Sequence, residues 1–129
     1  MKRPMFILVV LVGLTLGACG SDSKEPSGVI ETKAGQITVS MLDSSFDPAT
    51  ITVKAGTSVT FHLPNTGRLP HNMHIASARG VYRESPWMSE TIGGGQTTQL
   101  TWDVPAETGT YLFRCDVHEA EMVGKITVE

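Results

Sequence analysis

Cysteine is scarce in this chain, with Cys19 and Cys115 the only two in 129 residues. No framework of disulfides can be built from that number. Long apolar runs are missing as well. The most apolar stretch, Met5 to Leu16, falls short of the roughly 20 residues that a bilayer-spanning helix needs. Nor is there a basic excess, because the formal net charge is −3, which disfavours a nucleic-acid role. No stretch sustains a convincing helical period, and no motif places a carboxylate pair or a second nucleophile for hydrolytic chemistry.

What is present begins with an export signal. Lys2 and Arg3 precede the apolar run, and Leu16-Gly17-Ala18 puts small residues ahead of Cys19, so residues 1–18 read as a secretory signal peptide. The Leu-Gly-Ala-Cys ending resembles a bacterial lipobox, which would make Cys19 the lipid-modified first residue of a mature lipoprotein. Residues 19–34 then form a polar, flexible tether, with Gly20-Ser21-Asp22-Ser23 at its start. Losing residues 1–18 removes Lys2 and Arg3 and no acid, so the net charge of −3 becomes −5. Cys115 is then the one thiol left in an oxidising compartment, where a bound metal would protect it.

From Gln36 onward the pattern is that of strands. Ile37, Val39 and Met41 alternate with polar neighbours. Ile51 and Val53, the turn Ala55-Gly56, and Val59, Phe61 and Leu63 predict a hairpin with one buried face, His62 pointing outward to solvent. Residues 79–95 read as loop, with Trp87 packed on the core or, with Met88, offered to a partner. Leu100, Trp102 and Val104 share a core face, and Val123 to Val128 closes the chain. About seven to eight short strands separated by turns argue an all-β, antiparallel Greek-key sandwich or barrel over residues 35–129.

One short segment carries the chemistry. Cys115-Asp116-Val117-His118-Glu119-Ala120-Glu121-Met122 packs a thiol, an imidazole and a thioether ahead of the last strand. Two histidines, one cysteine and a weak axial methionine make an electron-transfer copper site. The second histidine lies upstream, in Pro70-His71-Asn72-Met73-His74-Ile75. His71, Met73 and Ile75 share one strand parity, so His71 is expected to reach the metal and His74 to face water. Glu119 and Glu121 leave a carboxylate as an alternative axial ligand.

These residues resemble the cupredoxins, the small blue copper proteins, most closely the plastocyanin and amicyanin type. In the first half the resemblance rests on Phe46-x-Pro48, Ile51-x-Val53, Ala55-Gly56, Val59-x-Phe61, Asn65 and Pro70-His71-Asn72. In the second half it rests on Gly109-Thr110-Tyr111, Cys115-x-x-His118-x-x-x-Met122 and Gly124-Lys125-Ile126-Thr127-Val128. It departs at Val117, where family members often have proline, and the spacing of the axial methionine varies within the family. The resemblance implies one copper ion held by His71, Cys115 and His118 with Met122 axial, and Asn72 clamping the ligands from outside.

Such a site would serve a carrier of single electrons, not an enzyme. The expected protein is a monomer, lipid-anchored to the bacterial membrane, with its domain in the periplasm or outside the cell. Its partners would be redox proteins such as a cytochrome, an oxidase or a dehydrogenase. Copper storage or delivery without redox turnover is the alternative, and a Cys115-His118 nucleophilic dyad is a weaker one that lacks an orienting third group. Asp116, Glu119 and Glu121 are expected to surround the exposed edge of His118, either as a docking surface for a partner or as a solvated loop with no partner role.

Overall fold

A computed structural model describes residues 31–33 and 35–129. The expected signal peptide, residues 1–18, and the expected lipidation site at Cys19 lie outside the described residues. Ten strands follow one another: β1 (Glu31–Lys33), β2 (Gln36–Thr38), β3 (Ser40–Met41), β4 (Phe46–Asp47), β5 (Thr50–Val53), β6 (Ser58–Pro64), β7 (His74–Ile75), β8 (Thr97–Asp103), β9 (Gly109–Arg114) and β10 (Val123–Val128). A single 3₁₀ turn, Tyr82–Glu84, interrupts the loop between β7 and β8. β1 pairs with β2, so three residues of the stretch read as tether lie in a strand.

The strands form a sheet ordered β1-β2-β6-β8, a sheet ordered β5-β10-β9-β7, and a small β3-β4 pair. Alternation along each strand buries one face. Ile37, Val59, Phe61, Leu63, Leu100 and Trp102 come from the first sheet, and Ile51, Val53, Tyr111, Phe113, Ile126 and Val128 from the second, all in one core. Rings join the two sides: Trp102 meets Tyr111 edge-on at 5.3 Å between centroids. Trp87 packs against that core with its ring 6.0 Å from Trp102, whereas Met88 is exposed.

One local expectation is corrected. β5 and β6 do not form a hairpin, because β5 pairs in parallel with β10 and β6 pairs with β2 and β8. The turn at Ala55-Gly56 carries the chain from one sheet to the other, with Gly56 at φ +69°. Both strands bury one face in the same core, so alternation looks the same whether they pair edge to edge or face each other across a sandwich. The pairings β2 with β6 and β5 with β10 are parallel, set among antiparallel neighbours.

Candidate metal centre

β7 pairs with β9 through His74↔Arg114 and Ile75↔Phe113 alone. Upstream of β7, the chain at His71 is held instead by Ile92, whose N–H donates to the His71 carbonyl at 2.9 Å while His71 N–H donates to the Ile92 carbonyl at 3.0 Å. Asn65 steadies the approach to it. This buried amide donates to the carbonyls of Leu69 at 2.9 Å and Ile92 at 3.1 Å. Cys115 follows directly on β9 and continues its inward parity after Tyr111 and Phe113, so the thiol is buried.

The segment after Cys115 folds back on itself. Met122 N–H donates to the His118 carbonyl at 3.0 Å, and Cys115 N–H donates to the Met122 carbonyl at 2.9 Å. Both ends of the loop are therefore tied, with Met122 fully buried and His118 half-buried.

These elements bring His71, Cys115 and His118 together with one donor atom from each, all within 4.8 Å of one another. Cys115 Sγ lies 3.7 Å from His71 Nδ1 and 3.9 Å from His118 Nδ1. A first-row metal ion bound at about 2.0 to 2.3 Å by imidazole nitrogen and thiolate sulfur separates such donors by roughly 3.5 to 3.9 Å. The spacing thus fits a metal ion, and the imidazole and thiolate donors fit copper. Burial, and then the neighbouring His118, lowers the pKa of His71 below the ordinary imidazole value, which keeps the ring neutral and able to bind a cation. Met122 is the buried member of the loop's end, whereas Glu119 and Glu121 are exposed, so the thioether and not a carboxylate is the group turned inward.

Asn72 bridges the two segments: its Oδ1 accepts the Asp116 backbone N–H at 2.8 Å. His74 does not face water. It is buried, and its Nδ1 lies 2.9 Å from Asp116 Oδ2. Parity misleads here because every residue from His71 to Ala76 is buried, the chain being covered on both faces. Asp116 in turn is not an open charge beside His118. Burial raises its pKa, but hydrogen bonds from Asn72, His74 and Arg114 outweigh that and hold the carboxyl below its usual range. Arg114 also pairs with Glu119 at 3.1 Å. The grouping of His74, Arg114 and Asp116 was not foreseen, and the acid at Asp116 one residue from the thiol is the only local signal for it.

A family model described as "Cupredoxin-like domain" matches residues 6–128. The chain is a cupredoxin. It is 35% identical over 101 residues to amicyanin-alpha of Methylorubrum extorquens, covering 78% of each chain. It is 31% identical over 107 residues to amicyanin of Paracoccus denitrificans, covering 83% of this chain and 76% of that one. It is also 30% identical over 131 residues to the copper-resistant cuproprotein CopI of Rubrivivax gelatinosus, covering 87% of this chain and 79% of the relative. Among solved structures, auracyanin A of Chloroflexus aurantiacus superposes with a TM-score of 0.60 at 24% identity over 73% of this chain and 98% of that one, a likeness of fold. One copper ion is the cofactor that this cupredoxin's family and its donor set imply.

Proposed function

We propose that this cupredoxin is an exported carrier of single electrons, in which His71, Cys115 and His118 would hold a copper ion and Met122 would be its weak fourth donor. The observation that carries the reading is the convergence of two imidazole nitrogens on one buried thiol, with Met122 also buried at the end of the same loop. Copper supplies the one-electron Cu(I)/Cu(II) couple. The protein keeps the donors in place: β9 and the doubly tied loop fix Cys115 and Met122, and the Ile92 pairing fixes His71. His118 alone of the three donors is half-exposed, so its ring edge is the route to a partner. A fully buried thiol leaves no approach for a substrate carbonyl, which speaks against the nucleophilic dyad.

The relatives named amicyanin support an electron-carrying role. The lipobox-like Leu16-Gly17-Ala18-Cys19 supports tethering of the exported domain to the bacterial membrane through Cys19. Its partners would be redox proteins of the cytochrome, oxidase or dehydrogenase kind. Likeness to the copper-resistant cuproprotein supports a second reading, copper storage or delivery. Repeated reduction and reoxidation of the copper-loaded protein in the presence of a competing chelator separates the two. A carrier keeps its copper through many cycles; a delivery protein loses it to the chelator within the first few.

A further inference from the structure

We propose that the Asp116 carboxylate is a positioning hub that locks the segment carrying His71 to the loop carrying Cys115, with His74 and Arg114 as its arms. The inference rests on the copper site proposed above and concerns how its donors are held apart at a fixed distance.

Three side chains converge on this one carboxylate. His74 Nδ1 donates to Oδ2 at 2.9 Å, Asn72 Nδ2 donates to Oδ2 at 3.2 Å, and Arg114 Nε donates to Oδ1 at 3.1 Å. In sequence, Asn72 and His74 follow His71, while Arg114 and Asp116 stand on either side of Cys115. Backbone pairing between the two segments reaches no nearer to the ligands than His74↔Arg114. The carboxylate sits where that ladder stops and continues it in side chains. The bond from the Asp116 backbone N–H to Asn72 Oδ1 gives a second tie at the same level.

The arms are themselves braced. The Arg114 guanidinium lies 4.0 Å from the centre of the Tyr82 ring and donates from Nη2 to Glu119 Oε1 at 3.1 Å. The His74 ring meets Tyr82 edge-on at 5.4 Å, and its Nε2 lies 3.3 Å from the Ser85 carbonyl oxygen. An exposed ion pair would contribute little. Here His74 is buried, and Arg114 and Asp116 are largely covered, so solvent screens these contacts much less. The 3.7 Å between His71 Nδ1 and Cys115 Sγ is thereby set by bonds in which neither donor atom takes part.

The test compares Asp116→Ala, His74→Ala, His74→Asn and the double variant His74→Ala, Asp116→Ala in the full chain purified in detergent. Three quantities are read: Cu(I) affinity by chelator competition, the thiolate-to-Cu(II) charge-transfer band, and thermal melting without copper. Loss of a partner that orients a ligand weakens metal binding by about 10-fold or more. Asp116→Ala and His74→Ala should each show that loss and an altered band. His74→Asn, whose amide can donate to the same carboxylate, should recover most of both. The double variant should be no worse than Asp116→Ala, because the two residues act through one bond. A folded Asp116→Ala protein with wild-type affinity and band overturns the proposal, as does an additive double variant. Should Asp116→Ala fail to fold, the His74 pair decides alone, and equal behaviour of His74→Ala and His74→Asn overturns it. Cys115→Ser is run alongside. If it keeps the band, the copper site itself is wrong and the hub falls with it; if it loses the band while the hub variants are unchanged, only the hub is wrong.

Discussion

Cys115 and Met122 are joined through the backbone, the N–H of the first donating to the carbonyl of the second at 2.9 Å. The bond makes the seven-residue step between thiol and thioether a closed loop, so the positions of Cys115 and Met122 are coupled. Met122→Leu removes the thioether. Leucine keeps the volume of the buried side chain, and the unloaded protein should lose less than about 1.5 kcal/mol. Removing one donor lowers the coordination number, which Cu(I) tolerates better than Cu(II), so the reduction potential should rise, as read by voltammetry. An unchanged potential would mean that Met122 fills the core without facing the copper.

Gly124 tests the packing beneath the site. A Cβ there would run into the Phe113 ring and stand 2.7 Å from the Ala49 carbonyl oxygen. Phe113 is fully buried and has Phe46 edge-on at 4.9 Å, so it has little room to yield. Gly124→Ala should cost about 1 to 3 kcal/mol or more by overpacking, seen as a lower melting temperature. Wild-type melting would show that β9 and β10 can part slightly at this pair.

Charge around His118 sets a smaller effect. Glu119 and Glu121 are exposed, and each negative charge favours Cu(II) over Cu(I). For a charge about 10 Å away at an effective dielectric of about 40 to 80, the effect is roughly 0.4 to 0.8 kcal/mol. The double variant Glu119→Gln, Glu121→Gln should therefore raise the potential at low ionic strength, and salt should shrink the difference. A basic redox partner that docks on these acids would also react more slowly with the variant. A rate that does not change would leave exposed Met88, beside Trp87, as the better contact.

Cys19→Ser tests the anchor independently of the metal. The variant should leave the membrane fraction while keeping the copper band, since acylation is the attachment that the Leu16-Gly17-Ala18-Cys19 ending supports. Retention in membranes after a high-salt wash would point to an uncleaved signal or a tight partner.

Much of this molecule was legible in its residues. Alternation located β6, β8, β9 and β10, and the spacing of Cys115, His118 and Met122 singled out the loop that closes on itself. Pairing partners were not legible. Ile51 and Val53 alternate as they would in a hairpin, yet β5 lies beside β10, far along the chain. His74 shows the same limit at a single residue. Its parity points away from the core, but a loop and the Asp116 carboxylate cover that side, and nothing local to His74 announces a partner 42 positions on.

The most direct test is the visible spectrum of the copper-loaded protein beside those of Cys115→Ser and His71→Ala. The wild type should be intensely coloured by thiolate-to-Cu(II) charge transfer. Cys115→Ser should lose that colour while remaining folded, because the core contributed by the two sheets is unchanged, and His71→Ala should open the site and alter the band. A Cys115→Ser protein that keeps the band, or a wild type that binds copper without one, would contradict a site built on His71, Cys115 and His118.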